Sequence, residues 1–492
     1  MSNEIRNLEP EAVWNHFADL NAVPRPSKKE ERVIEFMKNF GKEQGLETTT
    51  DEVGNVLIRK PATAGMEDRA TVILQAHLDM VHQKNNDTDF DFDREGIRSY
   101  VDGDWVRADG TTLGADNGLG VAMSMSILSS DQIEHPDIEA LFTIDEETGM
   151  TGAKNLKPGW LKGDILLNLD TEDDDEITIG CAGGVDTTAR ASYDEEQVPG
   201  GYSIIKLNLK GLAGGHSGMD IDSGRANANK LMNRLLFDLN ADHDIRISSI
   251  NGGGLRNAIP RESVACIAAK DADAVIKYVE EFEGVLRSEY KEPEPELKLT
   301  AEKIETDAGV MPADFQDRFL KAVYAMPNGV FRMSPAMPEL VETSTNLARV
   351  EAGNGKIETQ SLQRSSVESQ KKDVAAAARA TYQLMDADVE HTGDYPGWEP
   401  DTESPIKDVL ADTYRELFNE EPKVMACHAG LECGIIGTHY QELDMISFGP
   451  TINNPHSPDE CTSISSLQKS WKLFLETLKR TPTKSEVKRR SA

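Results

Sequence analysis

Five short stretches of this chain carry side chains that could hold a metal ion or move a proton. His77-Leu78-Asp79 places an imidazole and a carboxylate two residues apart. On an extended chain such positions point the same way, so both groups face one site. A carboxylate that accepts the second ring N–H of a metal-bound histidine fixes its tautomer and raises its basicity. In Gly114-Ala115-Asp116-Asn117-Gly118 the aspartate stands among glycines that permit close approach of a cation, and it also suits the N-cap of a following helix. Asp145-Glu146-Glu147 would ordinarily be a solvated loop, but these carboxylates end an apolar run, where charge is costly unless a cation offsets it. Asp170 opens an acidic stretch reaching Asp175, and as the member nearest an apolar run it is the one expected to point inward. His456 lies in Asn454-Pro455-His456-Ser457-Pro458-Asp459-Glu460 and, taken alone, reads as a loop histidine.

Those stretches gain meaning from the elements before them. The continuously apolar runs at 71–76, 140–144, 164–169 and 443–450 read as buried strands, and 117–130 reads as a helix. Apolar strands alternating with helices imply a mostly parallel sheet flanked by helices, an α/β arrangement. The candidate groups then fall at the carboxyl ends of four parallel strands, where open α/β sheets bind ligands. Two histidines and three carboxylates suit two divalent cations with a bridging carboxylate and water, leaving Glu146 as base and Asp79 as orienter.

Ser27 and Glu30 have capping-box spacing ahead of a helix carrying Val33, Phe36, Met37 and Phe40. After about residue 185 the pattern changes to half-exposed strands (201–210, 263–269, 340–350, 356–363) and helices (225–240, 272–289, 369–387). Residues 391–405 read as a connection, 464–479 as a closing helix and 481–492 as a solvated tail. The expected organisation is a catalytic domain formed by 1–186 and 391–492, with an inserted α+β domain over 187–390.

The chain has 492 residues, enough for two or three domains. With 52 basic and 86 acidic residues its net charge is −34, which disfavours nucleic acids and anionic membranes. The absence of an apolar run of about 18 residues argues against a membrane span. The N-terminus lacks the basic and apolar regions of a signal peptide. Five scattered cysteines do not form a disulfide framework, so a reducing cytoplasm is expected.

The motifs LQAHLDMV (74–81), GTTLGADNGLGVAM (110–123), FTIDEETGMTGA (142–153), LLNLDTED (166–173), GGHSGMDI (214–221) and SFGPTINNPHSPDE (447–460) resemble those of the M20 family of co-catalytic zinc peptidases. Within that family the resemblance is strongest to bacterial dipeptidases acting on Xaa-His substrates, and it spans nearly the whole chain. It implies His77 and Asp170 on one zinc, Glu147 and His456 on the other, and Asp116 bridging. Cobalt or manganese could replace zinc. Glu146 would be the general base toward a metal-bridging water, and Asp79 the orienter of His77. The inserted domain would be a lid carrying homodimer contacts, with His216 steadying the oxyanion and Asn257 and Arg364 gripping the substrate's carboxylate end. Without the resemblance, His216 and Asn257 read as loop residues and Arg364 as a surface charge. The segment His428–Gly434 would form a pocket wall; its sequence shows no base–cysteine pair, and the metal route needs no covalent intermediate.

The expected function is therefore hydrolysis of Xaa-His and other dipeptides of carnosine type. The alternatives are another M20 amidase (aminoacylase, carboxypeptidase or tripeptidase) and a non-catalytic metal-binding protein on the same scaffold. Intact Glu146 and Asp79 speak against the latter. A two-metal phosphoesterase is disfavoured because no Arg or Lys cluster attends the site.

Overall fold

The computed structural model describes residues 4–306 and 309–488. The chain divides into two compact units, one of Met1–Gly180, Pro400–Ala426 and Leu431–Ala492, the other of Cys181–Glu399 and Cys427–Gly430.

In the first unit, the described residues form an eight-stranded sheet. At its centre Ile138–Thr143, Val72–His77, Ile165–Asn168 and Asp444–Ser447 run parallel in that spatial order. Val56–Lys60 on one side and Glu176–Cys181 on the other pair antiparallel with this group, so the sheet is parallel only at its core. All residues of Val72–His77, Ile138–Thr143 and Ile165–Asn168 are buried, which accounts for their mostly apolar character. The helix Ala115–Ser129 is also apolar around its circumference, because it packs against Val72–His77 and against the helix Glu11–Asn21. A smaller four-stranded sheet joins Ser99–Asp102 and Trp105–Ala108 to Ile452–Asn453 and Cys461–Ser463.

The second unit is built on a nine-stranded sheet whose pairs are all antiparallel. The helices Ala228–Asp242, Ala272–Glu289, Ala313–Ala325 and Glu368–Gln383 contribute to its core, in which Leu235, Val279, Phe319 and Ala378 meet Ile205, Ile267 and Leu347. The hairpin Val341–Gly353/Lys356–Ser365 turns on Asn354 (φ 52°) and Gly355 (φ 74°), the pair of positive φ values that suits the twist of a two-residue hairpin loop.

Three expectations need correction. Ser27 and Glu30 do not form a capping box. The helix starts at Glu31 without a side-chain cap; Ser27 Oγ donates to the Met80 carbonyl at 3.2 Å, and Glu30 accepts from the Lys28 N–H at 2.8 Å. Contact with the chain leaving Val72–His77 has outcompeted the local cap. Part of 391–405 is not a connection, because Asp388–Tyr395 is a strand paired with Gly183–Ser192. The segment from 481 is not a solvated tail as far as it is described; its last four residues lie outside the described chain. Thr481 is buried, the Ala70 N–H donates to the Pro482 carbonyl at 2.8 Å, Arg69 donates to the Thr481 carbonyl at 2.9 Å, and the Lys484 N–H donates to the Asp68 carbonyl at 2.9 Å.

Ending the chain after Arg480 removes these three bonds. At roughly 1 kcal/mol each, the first unit should lose about 2–3 kcal/mol. Urea denaturation checks this; an unchanged midpoint would show that the segment adds no stability.

Candidate functional site

His77 ends the strand Val72–His77 and is buried. Its Nε2 lies 3.1 Å from Asp116 Oδ1 and 3.4 Å from Asp170 Oδ1. Its Nδ1 faces the Asp79 carbonyl oxygen at 3.2 Å and the Asp79 carboxylate at 3.5 Å. His456, in the loop beyond Asp444–Ser447, brings its Nε2 to 3.1 Å from Asp116 Oδ2 and 3.0 Å from Glu147 Oε2. Asp116 therefore offers one carboxylate oxygen to each histidine.

Asp116 is not the N-cap expected from its position. Gly114 precedes the helix, while Asp116 (φ −81°, ψ 112°) and Asn117 depart from helical angles within its first turn. Two imidazoles compete successfully for the side chain. Glu146 and Glu147 follow Asp145, whose left-handed backbone (φ 51°) turns the chain at the exit of Ile138–Thr143. The hydroxyls of Thr148 and Thr151 both donate to the Asp145 carboxylate and hold that turn. Asp79, fully buried, accepts the backbone N–H groups of Glu146 at 3.0 Å and Glu147 at 3.3 Å, so it steadies both the His77 ring and the Glu146-Glu147 turn.

Three overlapping sets of donor atoms result, His77-Asp116-Asp170, Asp116-Glu147-His456 and His77-Glu146-Glu147, each lying within 4.8 Å, and the first two share Asp116. Each could hold a metal ion. The hydrogen bonding of the chain itself leaves such a need. Every partner of His77 Nδ1 and Nε2 is an acceptor, and Glu147 Oε1 is buried without a hydrogen-bond partner. Burial opposes charge on His77, but Asp170 and Asp116 raise its proton affinity well above the ordinary range. Hydrogen bonds to Asp116 and Glu147 push His456 up to about 11. Burial likewise works against charge on Asp116, yet its bonds from His456 and His77 hold it far below the usual carboxylate range. These are marks of excess negative charge seeking positive charge, and imidazole nitrogens with carboxylate oxygens suit borderline divalent ions.

Glu146 has its carboxyl raised well above the ordinary range by burial, with Asp170, Glu147 and Glu432 adding to it. The acidic stretch after Asp170 is less solvated than expected. Glu172 is pushed up to about 8 by burial and by Asp116 and Asp170, and Asp174 pairs with Lys469 at 2.7 Å. Three charged groups near the site had no assigned role: Arg25, Glu432 and Glu460 are all buried. No spacing rule singles them out, although Glu460 lies four residues beyond His456.

The second unit brings together its own predicted residues. Arg364 is buried; its Nη2 lies 3.4 Å from His216 Nε2, its Nη1 donates to Tyr395 Oη at 3.0 Å, and its Nε has no hydrogen-bond partner. Asn257 lies on the neighbouring segment, its carbonyl accepting the Ser217 N–H at 2.8 Å. His428 Nε2 pairs with Ser344 Oγ at 2.7 Å. A Cβ on Gly218 would sit 2.0 Å from the His428 carbonyl oxygen, so only glycine fits there.

Burial and the charge of Arg364 lower His428 to about 3 and His216 to about 4. Both rings are neutral when folded but take up protons near pH ~6.5 once unfolded. Stability from this source is complete above about pH 6.5 and falls as pH drops toward the folded values. His456 and Glu172, whose proton affinities rise on folding, act in the opposite sense over this range. The loss is therefore read from thermal melts between about pH 7 and pH 5 as the difference between wild type and a variant lacking one ring. His428→Gln, which can still bond Ser344, should make it shallower; equal slopes would reject the account.

A family model described as peptidase family M20/M25/M40 matches residues 73–480. The cytosol non-specific dipeptidase of Escherichia coli K12 is 45% identical over 484 residues, covering 98% of this chain and 100% of that protein. The crystal structure of aminoacylhistidine dipeptidase from Vibrio alginolyticus is similar at TM-score 0.90 and 43% identity, covering 98% of this chain and 100% of the other. An aminopeptidase (PepT) from Bacillus cereus shares the fold at TM-score 0.56 and 15% identity, covering 96% and 99%. With the model spanning most of the chain and a relative of this identity matching end to end, the chain belongs to peptidase family M20/M25/M40.

Proposed function

We propose that this protein is a metal-dependent dipeptidase that hydrolyses Xaa-His and other dipeptides, acting in the cytoplasm as a homodimer. The observation that carries the reading is end-to-end similarity to two proteins named as dipeptidases, one non-specific and one aminoacylhistidine-directed. The E. coli relative's name supports the cytoplasmic placement. Support for the homodimer comes from the exposed apolar side chains Tyr324, Val330, Phe331 and Met333, three of them on the strand Gly329–Met333.

In this reading His77 and Asp170 hold one divalent ion, Glu147 and His456 the other, and Asp116 is shared between them. Zinc suits this donor set, with cobalt or manganese as substitutes. Bound there, such ions supply Lewis acidity toward water and the scissile carbonyl. Glu146 takes the proton of the attacking water and returns it to the leaving amine, and the raised proton affinity of its buried carboxyl favours that return. Asp79 keeps the His77 ring oriented and the Glu146 turn in place. His216, as a neutral imidazole, donates to the oxyanion, a contribution of about 3 kcal/mol. Asn257 and Arg364 hold the substrate's carboxylate end, for which the unpaired Arg364 Nε is an available donor.

Glu146→Ala should lower kcat at least about 100-fold while leaving the metal content unchanged by elemental analysis. Asp116→Ala should instead lose metal from both positions. Wild-type turnover in the first, or full metal content in the second, would sink these roles.

The substrate assignment is tested with β-Ala-His, Gly-His, Ala-Ala, a tripeptide and an N-acetyl amino acid, with and without chelator. Cleavage should be chelator-sensitive, confined to dipeptides and fastest with a C-terminal histidine. Preference for the tripeptide or the acetylated substrate would move the protein elsewhere in its family. No cleavage by metal-loaded protein would overturn the enzymatic reading.

A further inference from the structure

The backbone around Asp116 is held by two buried ionic side chains that touch none of the proposed ligand side chains. The Glu460 carboxylate accepts four consecutive N–H groups: Leu113 at 2.7 Å and Gly114 at 3.0 Å on Oε2, Ala115 at 2.8 Å and Asp116 at 3.3 Å on Oε1. Arg25, 1% exposed, donates through Nη2 to the Gly114 carbonyl at 2.6 Å and to Asn21 Oδ1 at 3.1 Å. Its Nη1 donates to the carbonyls of Leu78 and Asp79, both at 3.1 Å. Opposite charges thus grip one turn through complementary backbone groups, the anion on its amides and the cation on its carbonyl.

We propose that Arg25 and Glu460 are positioning residues that set metal affinity by fixing three ligand-bearing segments relative to one another. Arg25 ties the exit of the His77 strand to the turn bearing Asp116, and Glu460 ties that turn to the loop bearing His456. Asp116 departs from helical angles in the first turn of a helical element, and the restraint of its backbone by neighbouring groups sets its side-chain direction. A carboxylate shared between two ions is the ligand most sensitive to such restraint, because a tilt that improves one contact worsens the other. Space around the turn is also closed: a Cβ on Gly114 would lie 2.5 Å from Arg25 Nη2, so the turn cannot shift toward the guanidinium. The inference rests on the two-metal reading above and adds to it two residues outside the ligand set.

The test is zinc affinity by competition with a chromophoric chelator, together with the visible spectrum of the cobalt-loaded protein. Wild type is compared with Glu460→Gln, Glu460→Ala and Arg25→Lys. Glu139→Gln serves as control, since Glu139 is a buried carboxylate that accepts from Arg59 and from the backbone at 162 and 163, at the opposite end of its strand from the site. Glu460→Gln replaces one acceptor oxygen by a donor facing N–H groups, and Arg25→Lys cannot reach all four acceptors. Each should weaken zinc binding about 10- to 100-fold and alter the cobalt spectrum. Glu460→Ala should be at least as severe if it folds; if it does not, Glu460→Gln decides. The control should lose thermal stability yet stay within about twofold of wild-type affinity. Wild type that binds no zinc would refute the metal reading itself. Wild type that binds, with Glu460→Gln or Arg25→Lys within twofold of it, or a control as weak as they are, would overturn the proposal alone.

Discussion

The constraint from which the rest of the first unit follows is the placement of Asp116 between two imidazoles, with Glu147 and Asp170 beside them. Buried carboxylates this close repel one another and have lost most of their hydration, a penalty of several kcal/mol per ion. An interior tolerates such a group only when positive charge and hydrogen-bond donors are built around it. The chain provides both kinds. Protonated His77 and His456 can neutralise part of the charge, and backbone N–H groups serve the carboxylates that face away from the centre, at Asp79 and Glu460. What remains unmet, at Glu147 Oε1, belongs to a residue of the same cluster.

A parallel sheet is well suited to this task, since its strands deliver their ends to one edge and leave the connecting loops free to vary. Here the strands also carry polar side chains in their buried interior. Glu432, at the start of the helix Glu432–His439, accepts from Thr143 Oγ1 and Gln75 Nε2, both at 2.6 Å. Gln75 Oε1 accepts from Asn168, and Asn168 Oδ1 accepts from Ser447. One polar row therefore crosses all four parallel strands near their carboxyl ends. Its directional bonds set the stagger of the strand exits in a way that apolar packing does not, and the stagger decides how far each site residue projects.

Much of this was legible because the decisive elements are strongly patterned. The helices 272–289 and 464–479 and the strand 263–269 occur where their apolar periodicity places them. The site stretches could be recognised together because each follows a run whose uniform burial leaves no room for charge without a purpose. The failures share a physical cause. Ser27 and Asp116 have local capping alternatives that lost to partners far away in sequence, namely Met80 for the first and His77 and His456 for the second. Glu460 lay within a motif yet carried no role, and Arg25 lay outside every motif, because a side chain that binds mainly backbone leaves no trace in residue type or spacing. The acidic net charge also hid a difference between exposed and enclosed acids, for which Glu172 is the clearest case.

The histidines show how far environment overrides residue type. His77 and His456 stand among carboxylates, and their proton affinity rises; His216 and His428 stand with the Arg364 guanidinium in a largely apolar setting, and theirs falls to about 4 and about 3. The first pair sits in surroundings that favour a cation, whether a proton or a metal ion. The second pair is neutral at about pH 7, so each ring keeps one donor and one acceptor nitrogen. For His216 the acceptor side is occupied, since Nδ1 receives the N–H groups of Gly218 at 3.3 Å and Met219 at 3.1 Å. The proton is thereby directed to Nε2, where Arg364 Nη2 lies 3.4 Å away but, being only a donor, cannot accept it. A hydrogen-bond donor with its tautomer fixed by backbone, next to a permanent positive charge, is well formed to meet a developing negative charge without transferring its own proton.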